Sequence, residues 1–511
     1  MRQTKILFLS VMMLLAAYAG AWAQKGNAII KIDTDRTVGE INPHLYGNFS
    51  EHLGQGIYGG IYDPASSQSD EDGFRKDVIA ATRELGVSVL RWPGGNFVSG
   101  YHWEDGIGDP AKRPTRIDLA WGGREPNLIG TDEFIRFARK AGVEPYFCVN
   151  LGTASLDEAR NWVEYCNIEK DTYYSDLRRA NGSEKPHKVI YWGLGNEVDG
   201  PWQMGHKTPD EYAKVAIETA KLMRWIDSDI KLIASGSSNY DADWNLWNRT
   251  VLDQMYDYID YISLHHYSHN NADYYTYLTN TLEVEKYIRI VEQQIQEAKM
   301  KNKSSKDVYI AFDEWNAWTR TFGGKDNTLS EIYDLQDALV VAQYLNIFMR
   351  TCQVVKMANM AQLVNVIAPM RTQGDVLWKQ TTWYPLYLFS KNCRGTALDV
   401  FTRCDSFKTS QYGSVPYLDV SATYEPERGE IVVNVVNRHK DNSITAEILS
   451  QNVSFGKTAI AHIVTGSDVT ICNSAEEQNV KVKDSSVKTS PEKITYTFEP
   501  HSFTQIIVKC R

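Results

Sequence analysis

From about residue 75 to 365 the chain alternates short apolar, β-rich runs with segments of helical periodicity, and this rhythm limits its fold more than any other feature. One unit is a helix over 74–85, stopped by Gly86 and followed by a strand over 87–90. Another places Phe134, Phe137, Ala138 and Ala141 on one helical face, stops at Gly142 and runs into a strand over 145–149. Further strands are expected over 189–194, 231–234, 261–264, 308–312 and 360–364, and one near 47–49 makes eight. Thr208-Pro209-Asp210-Glu211 reads as a capping box with proline in the first helical turn, so a long helix through about Trp225 starts there. Eight apolar strands alternating with helices favour a parallel sheet buried on both faces and closed on itself, a (β/α)₈ barrel over 45–395.

After about residue 395 the pattern changes. Runs over 415–420, 430–436, 458–464, 494–498 and 503–508 are β-rich, polar stretches separate them, and no helix intervenes. An all-β sandwich, jelly-roll-like, is expected over 396–511. The segment 24–44 carries the apolar run 28–32, which is expected to add a strand to that sandwich.

The first 23 residues read as a signal peptide: Arg2 and Lys5 precede an apolar run over 6–19, and Ala21-Trp22-Ala23 offers small residues at the cleavage positions. The run is shorter than the roughly 20 residues that span a bilayer. The expectation is therefore an exported chain, periplasmic or extracellular after cleavage near Ala23, with no membrane span. Seven cysteines without CxxC spacing exclude a zinc or dithiol motif, and their odd number leaves at least one unpaired.

The formal charge of −10 argues against nucleic acid as a partner, because phosphate binding draws on clustered excess Lys and Arg. A neutral partner fits better, and 14 Trp with 29 Tyr supply flat amphipathic rings on which sugar faces stack. In a (β/α)₈ barrel the reactive groups stand at the C-terminal ends of the strands. There the run over 189–194 leads into Gly195-Asn196-Glu197, and the run over 308–312 into Asp313-Glu314-Trp315-Asn316. Two carboxylates across a barrel mouth are what glycosidic hydrolysis needs, one to protonate the leaving oxygen and one to attack the anomeric carbon or activate water. Trp92, Trp121, Tyr267 and Trp315 are expected to line the sugar. Pro93-Gly94-Gly95 reads as a tight loop rather than a phosphate cradle, since no Lys-Ser/Thr follows. His265, His266 and His269 read as hydrogen-bonding groups rather than metal ligands, no carboxylate standing at ligand spacing beside them.

These strand ends carry a specific resemblance. Gly47-Asn48-Phe49-Ser50-Glu51-His52, Leu90-Arg91-Trp92-Pro93-Gly94-Gly95-Asn96-Phe97, Trp103-Glu104-Asp105-Gly106, Gly193-Leu194-Gly195-Asn196-Glu197, Asp313-Glu314-Trp315-Asn316 and the segment 361–369 resemble, in order, the α-L-arabinofuranosidases of glycoside hydrolase family 51. The resemblance implies a barrel with a C-terminal sandwich completed by an N-terminal strand. It implies exo-acting hydrolysis of terminal α-L-arabinofuranosides in arabinan, arabinoxylan and their oligosaccharides, with retention and with no metal or other cofactor. It makes Glu197 the general acid/base and Glu314 the nucleophile, whose carboxyl groups retention places roughly 5 to 5.5 Å apart. It assigns Glu51, Arg91, Asn96, Asn196, Tyr267 and Gln362 to the sugar and Trp121 to the leaving-group side, and it implies a homo-oligomer such as a hexamer. Two other readings of the same residues are an endo-β-1,4-glucanase or xylosidase on this scaffold and a non-catalytic carbohydrate-binding protein.

Overall fold

The structure is a computed structural model that describes residues 27–270, 273–318 and 329–511. The signal peptide read over 1–23 lies outside these residues.

Eight parallel strands close into a barrel: β1 (Gly47–Phe49), β2 (Val89–Trp92), β3 (Glu144–Val149), β4 (Tyr191–Leu194), β5 (Lys231–Ala234), β6 (Tyr261–His269), β7 (Tyr309–Trp318) and β8 (Val355–Ala361). Neighbours in sequence are neighbours in the ring, and β8 returns to β1 through the pairs Asn359 with Gly47 and Ala361 with Phe49. Close packing at that seam dictates Gly47, where a Cβ would lie 2.6 Å from Val89 Cγ1 and 2.8 Å from the Ala358 carbonyl oxygen. Val89, Tyr146, Ile233, Tyr261, Ala311 and Met357 form a separate buried cluster, one residue from each of β2, β3, β5, β6, β7 and β8. Their side chains fill the barrel as packed core rather than pore.

The helices follow the expected local rules. Lys76–Leu85 buries Val78, Ile79, Thr82 and Leu85 on one face and ends at Gly86 in the left-handed conformation, φ 75°. Thr208 accepts from the Glu211 amide while the Glu211 carboxylate accepts from the Thr208 amide at 2.9 Å, so the capping box opens Pro209–Ile226.

Several strand bounds depart from expectation: β4 starts at Tyr191 rather than 189, and β6 and β7 run on to His269 and Trp318 rather than ending at 264 and 312. The second strand is Val89–Trp92, two residues later than the apolar run suggested. The eighth is Val355–Ala361 rather than 360–364. Asn359, one residue before the expected run, is fully buried within it, its side-chain amide donating to the Asn48 carbonyl at 2.9 Å.

The C-terminal strands form a seven-stranded and a four-stranded sheet. Ala28–Asp33 completes the smaller one, pairing parallel with Ile444–Gln451, and Thr37–Glu40 edges the larger. Val482–Lys488 falls where a polar stretch was expected; it is an edge strand with mostly exposed side chains and only Val487 buried, so it carries no apolar run. A buried ion-pair network joins sandwich to barrel: Asp419 lies 3.1 Å from both Arg350 and Arg438 and accepts from Asn346 at 2.8 Å.

Candidate active site

The C-terminal ends of the barrel strands open into a cavity of about 700 Å³. Seven of the nine site residues expected from the sequence line it: Glu51, Asn96, Trp121, Glu197, Tyr267, Glu314 and Gln362. The other two, Arg91 and Asn196, are buried and joined to it by hydrogen bonds. Arg91 donates to Glu314 Oε2 at 2.9 Å and to Asn196 Oδ1, and its Nε lies 3.6 Å from Asp313.

Backbone irregularities aim the two glutamates. After β4, Gly195 and Glu197 both take positive φ, 84° and 45°, which turns the chain sharply at the mouth. The β6–β7 register shifts between Ser263 and His265, bringing His265 opposite Glu314. Such bulges re-aim side chains beside active sites. An oxygen of Glu197, an oxygen of Glu314 and a nitrogen of His265 consequently lie within 4.8 Å of one another. This is the sole trio of His, Cys or carboxylate donors close enough to hold an ion among the described residues.

Each carboxylate has fixed partners. Glu314 accepts from Arg91 on Oε2 and from the Tyr267 hydroxyl on Oε1 at 2.7 Å. Glu197 accepts from Trp202 Nε1 on Oε2 at 2.8 Å, and its Oε1 faces His265 Nδ1 at 2.9 Å. The other ring nitrogen of His265 lies 3.2 Å from Asp313. Burial alone would push His265 toward neutrality, but Glu314, Asp313 and Glu197 outweigh it and raise the ring to about 10. Asp313 is likewise buried, and Arg91, His265 and the Tyr146 hydroxyl together hold it down at about 2.

Glu51 behaves oppositely. Burial, reinforced by the charge of Glu314, raises it to about 8 although Oε1 accepts from the Phe97 amide at 2.9 Å and from Trp121 Nε1 at 3.0 Å. Its own amide donates to Gln362 Oε1 at 3.0 Å, so β1 and β8 meet at the mouth. The loop that carries Trp121 is anchored by Glu125, which accepts from His52 Nδ1 at 2.9 Å and from the Tyr58 hydroxyl.

Two aromatic expectations fail. Trp92 is fully buried, stacked on Phe134 at 4.9 Å, and Trp315 packs beneath the site against Tyr344 and Phe348. Both follow the reactive motif in sequence, but strand alternation turns their rings away from the mouth. The aromatic lining comes instead from Trp121, Trp202, Tyr240, Tyr267, Tyr287 and Trp318. Trp202 sits five residues past Glu197, while Tyr240 and Tyr287 come from a loop and a helix that no motif singled out. Of the three histidines, His265 meets both glutamates, whereas His266 is bonded to the Tyr344 hydroxyl at 2.6 Å and is pushed by burial down to about 3.

Comparison with known proteins gives the geometry a context. Residues 81–288 match the family model described as α-L-arabinofuranosidase 1 domain, and residues 313–502 match the α-L-arabinofuranosidase C-terminal domain. An intracellular exo-α-(1→5)-L-arabinofuranosidase of Halalkalibacterium halodurans is 42% identical over 449 residues, 86% of this chain and 90% of that protein. A Bacillus subtilis enzyme of the same description is 39% identical over 491 residues, 94% and 98% of the two chains. A solved family 51 α-L-arabinofuranosidase from Bifidobacterium longum superposes with TM-score 0.89 at 34% identity, covering 94% of this chain and all of that one. The first two names overturn the expectation of an exported chain, since both relatives are intracellular enzymes. All seven cysteines are free thiols, four of them buried. Among the described residues no helix is long and apolar enough to cross a membrane.

Proposed function

The chain belongs to the α-L-arabinofuranosidases of glycoside hydrolase family 51, and on that premise we propose that this exo-acting enzyme releases terminal non-reducing arabinofuranosyl residues from arabinan, arabinoxylan and their oligosaccharides with retention of configuration. The observation that carries the stereochemical part is the separation of the two carboxylates, within 4.8 Å at their nearest donor oxygens. A retaining pair stands about 5 to 5.5 Å apart, whereas an inverting pair leaves about 6.5 to 9.5 Å for a water.

In this reading Glu314 attacks the anomeric carbon, held in place by Arg91 and Tyr267. Glu197, whose Oε1 lies 2.9 Å from His265 Nδ1, donates a proton to the leaving oxygen. Once the leaving group departs, Glu197 draws a proton from water, which opens the arabinosyl ester on Glu314. Glu51 enters as a neutral carboxyl below about pH 8, so it can donate to a furanose hydroxyl as well as accept. Asn96 and Gln362 line the same space, and the buried Asn196 Nδ2 has no partner among the described residues, leaving it for a ring hydroxyl. Trp121 closes the wall beside Glu51.

Sugar analysis after digestion of arabinan and arabinoxylan tests the substrate. Release of free arabinose from both is expected, whereas better turnover of cellulosic polymer or aryl xyloside than of aryl arabinofuranoside would overturn the reading. Association into a homo-oligomer, which the family resemblance implies, is tested by sedimentation.

A further inference from the structure

The cavity is larger than one furanose requires: about 700 Å³ lies well within the range of about 300–1,000 Å³ that holds drug-sized ligands. The order of strands in the ring divides it. Glu51, Asn96 and Gln362 follow β1, β2 and β8, while the proton donor Glu197 follows β4, so the far side of Glu197 is walled by the segments after β5 and β6. We propose that Tyr240, Glu283 and Tyr287 on that wall form a second sugar subsite, which binds the residue that leaves with the proton from Glu197. This deepens the glycosidase reading and rests on it.

Several contacts hold the three residues as a unit. Tyr240 and Tyr287 stack at 4.0 Å between ring centroids with planes 15° apart. The segment before Tyr240 is tied to the acid loop, since Asp199, two residues after Glu197, accepts from the Ser238 amide at 2.8 Å and the Asn239 amide at 3.0 Å. Glu283 and Tyr287 stand one helical turn apart on Thr281–Asn302, and the Tyr287 hydroxyl reaches the Glu283 carboxylate at 3.5 Å. The other Glu283 oxygen accepts from Gln411, at the tip of the hairpin formed by Ser406–Thr409 and Gly413–Pro416 of the C-terminal region. Lys286 packs over the neighbouring Tyr412 ring at 4.7 Å. The C-terminal region thus props one wall of the cavity.

The chemistry points to a neutral sugar. Aromatic rings offer faces for C–H surfaces. Glu283 offers carboxylate acceptors for hydroxyls. The Tyr240 hydroxyl is buried with no hydrogen-bond partner among the described residues, so a ligand hydroxyl would complete it.

The test compares kcat/KM on α-1,5-linked arabinotriose with kcat/KM on methyl α-L-arabinofuranoside, whose leaving group cannot fill a second subsite. For Tyr287→Ala and for Glu283→Gln, the triose-to-methyl ratio is expected to fall about tenfold, the scale of one stacked ring or one charged hydrogen bond. Gln411→Ala changes an exposed prop without touching the cavity wall, and the ratio should fall about threefold. The proposal is overturned if the ratio stays within twofold of wild type in all three variants, whether or not both activities decline together. If the wild-type enzyme releases arabinose from neither substrate, the glycosidase reading itself fails and the subsite with it.

Discussion

Glu51→Gln is expected to stabilise the protein at neutral pH while weakening catalysis. Glu51 is only 3% exposed, and burial beside Glu314 raises its carboxyl from an ordinary 4.5 to about 8. The sign follows from the two states. Below pH 4.5 the group is neutral in both and has no effect on folding. Between 4.5 and 8 the unfolded chain ionises it freely while the folded chain does not, so folding is disfavoured progressively as pH rises. At pH 7 the gap is about 2.5 pH units, or about 3 kcal/mol at 1.36 kcal/mol per unit. Glutamine is neutral in both states, can accept from Phe97 and Trp121 through its carbonyl oxygen, and carries none of that cost. Thermal unfolding of the two proteins from pH 4 to 8 should show a Tm difference that is near zero at pH 4 and grows to several degrees by pH 7 to 8. A difference that does not change with pH, or a less stable variant at pH 8, would refute the claim that Glu51 is held neutral.

Three further perturbations follow from the same contacts. Glu314→Gln should lower kcat by at least about 10⁴-fold, measured with an aryl arabinofuranoside, because it removes the attacking group and leaves Arg91 opposite an amide. Glu197→Ala should keep partial turnover of aryl substrates with good leaving groups and be accelerated by azide, giving an arabinosyl azide of retained configuration; an inverted azide would reassign the residue. Asp419→Ala, far from the cavity, should cost about 3 kcal/mol in urea unfolding because it strands the buried Arg438 and leaves Arg350 only Glu285 as a carboxylate partner at the interface between barrel and sandwich.

The barrel was legible because buried parallel strands must be apolar, and such runs announce themselves wherever a helix pattern separates them. Legibility ended where burial and polarity part company. Asn359 is a core residue of β8 because its amide satisfies the Asn48 carbonyl, and nothing in a linear pattern distinguishes it from a loop asparagine. Val482–Lys488 is an edge strand held by pairing with Phe455–Val464 rather than by apolar burial. At the site, Glu197 and Glu314 could be picked out because each ends an apolar run. The aromatic wall could not, since whether a ring faces the cavity depends on alternation and bulges that are set only when strands pair. Trp92 and Trp315 turned inward for that reason, while Trp318 reached the cavity from the end of β7 and Trp202, Tyr240 and Tyr287 from loops and a helix. Export was inferred from composition at the N-terminus alone, and the intracellular relatives overturn it.

Double displacement through Glu314 requires the two carboxylates to stand as close as the structure has them. Proton NMR of the first product formed from an aryl α-L-arabinofuranoside reads this directly. With double displacement α-L-arabinofuranose appears first and then mutarotates, whereas initial formation of the β anomer would mean a single displacement by water and contradict the role of Glu314 as nucleophile.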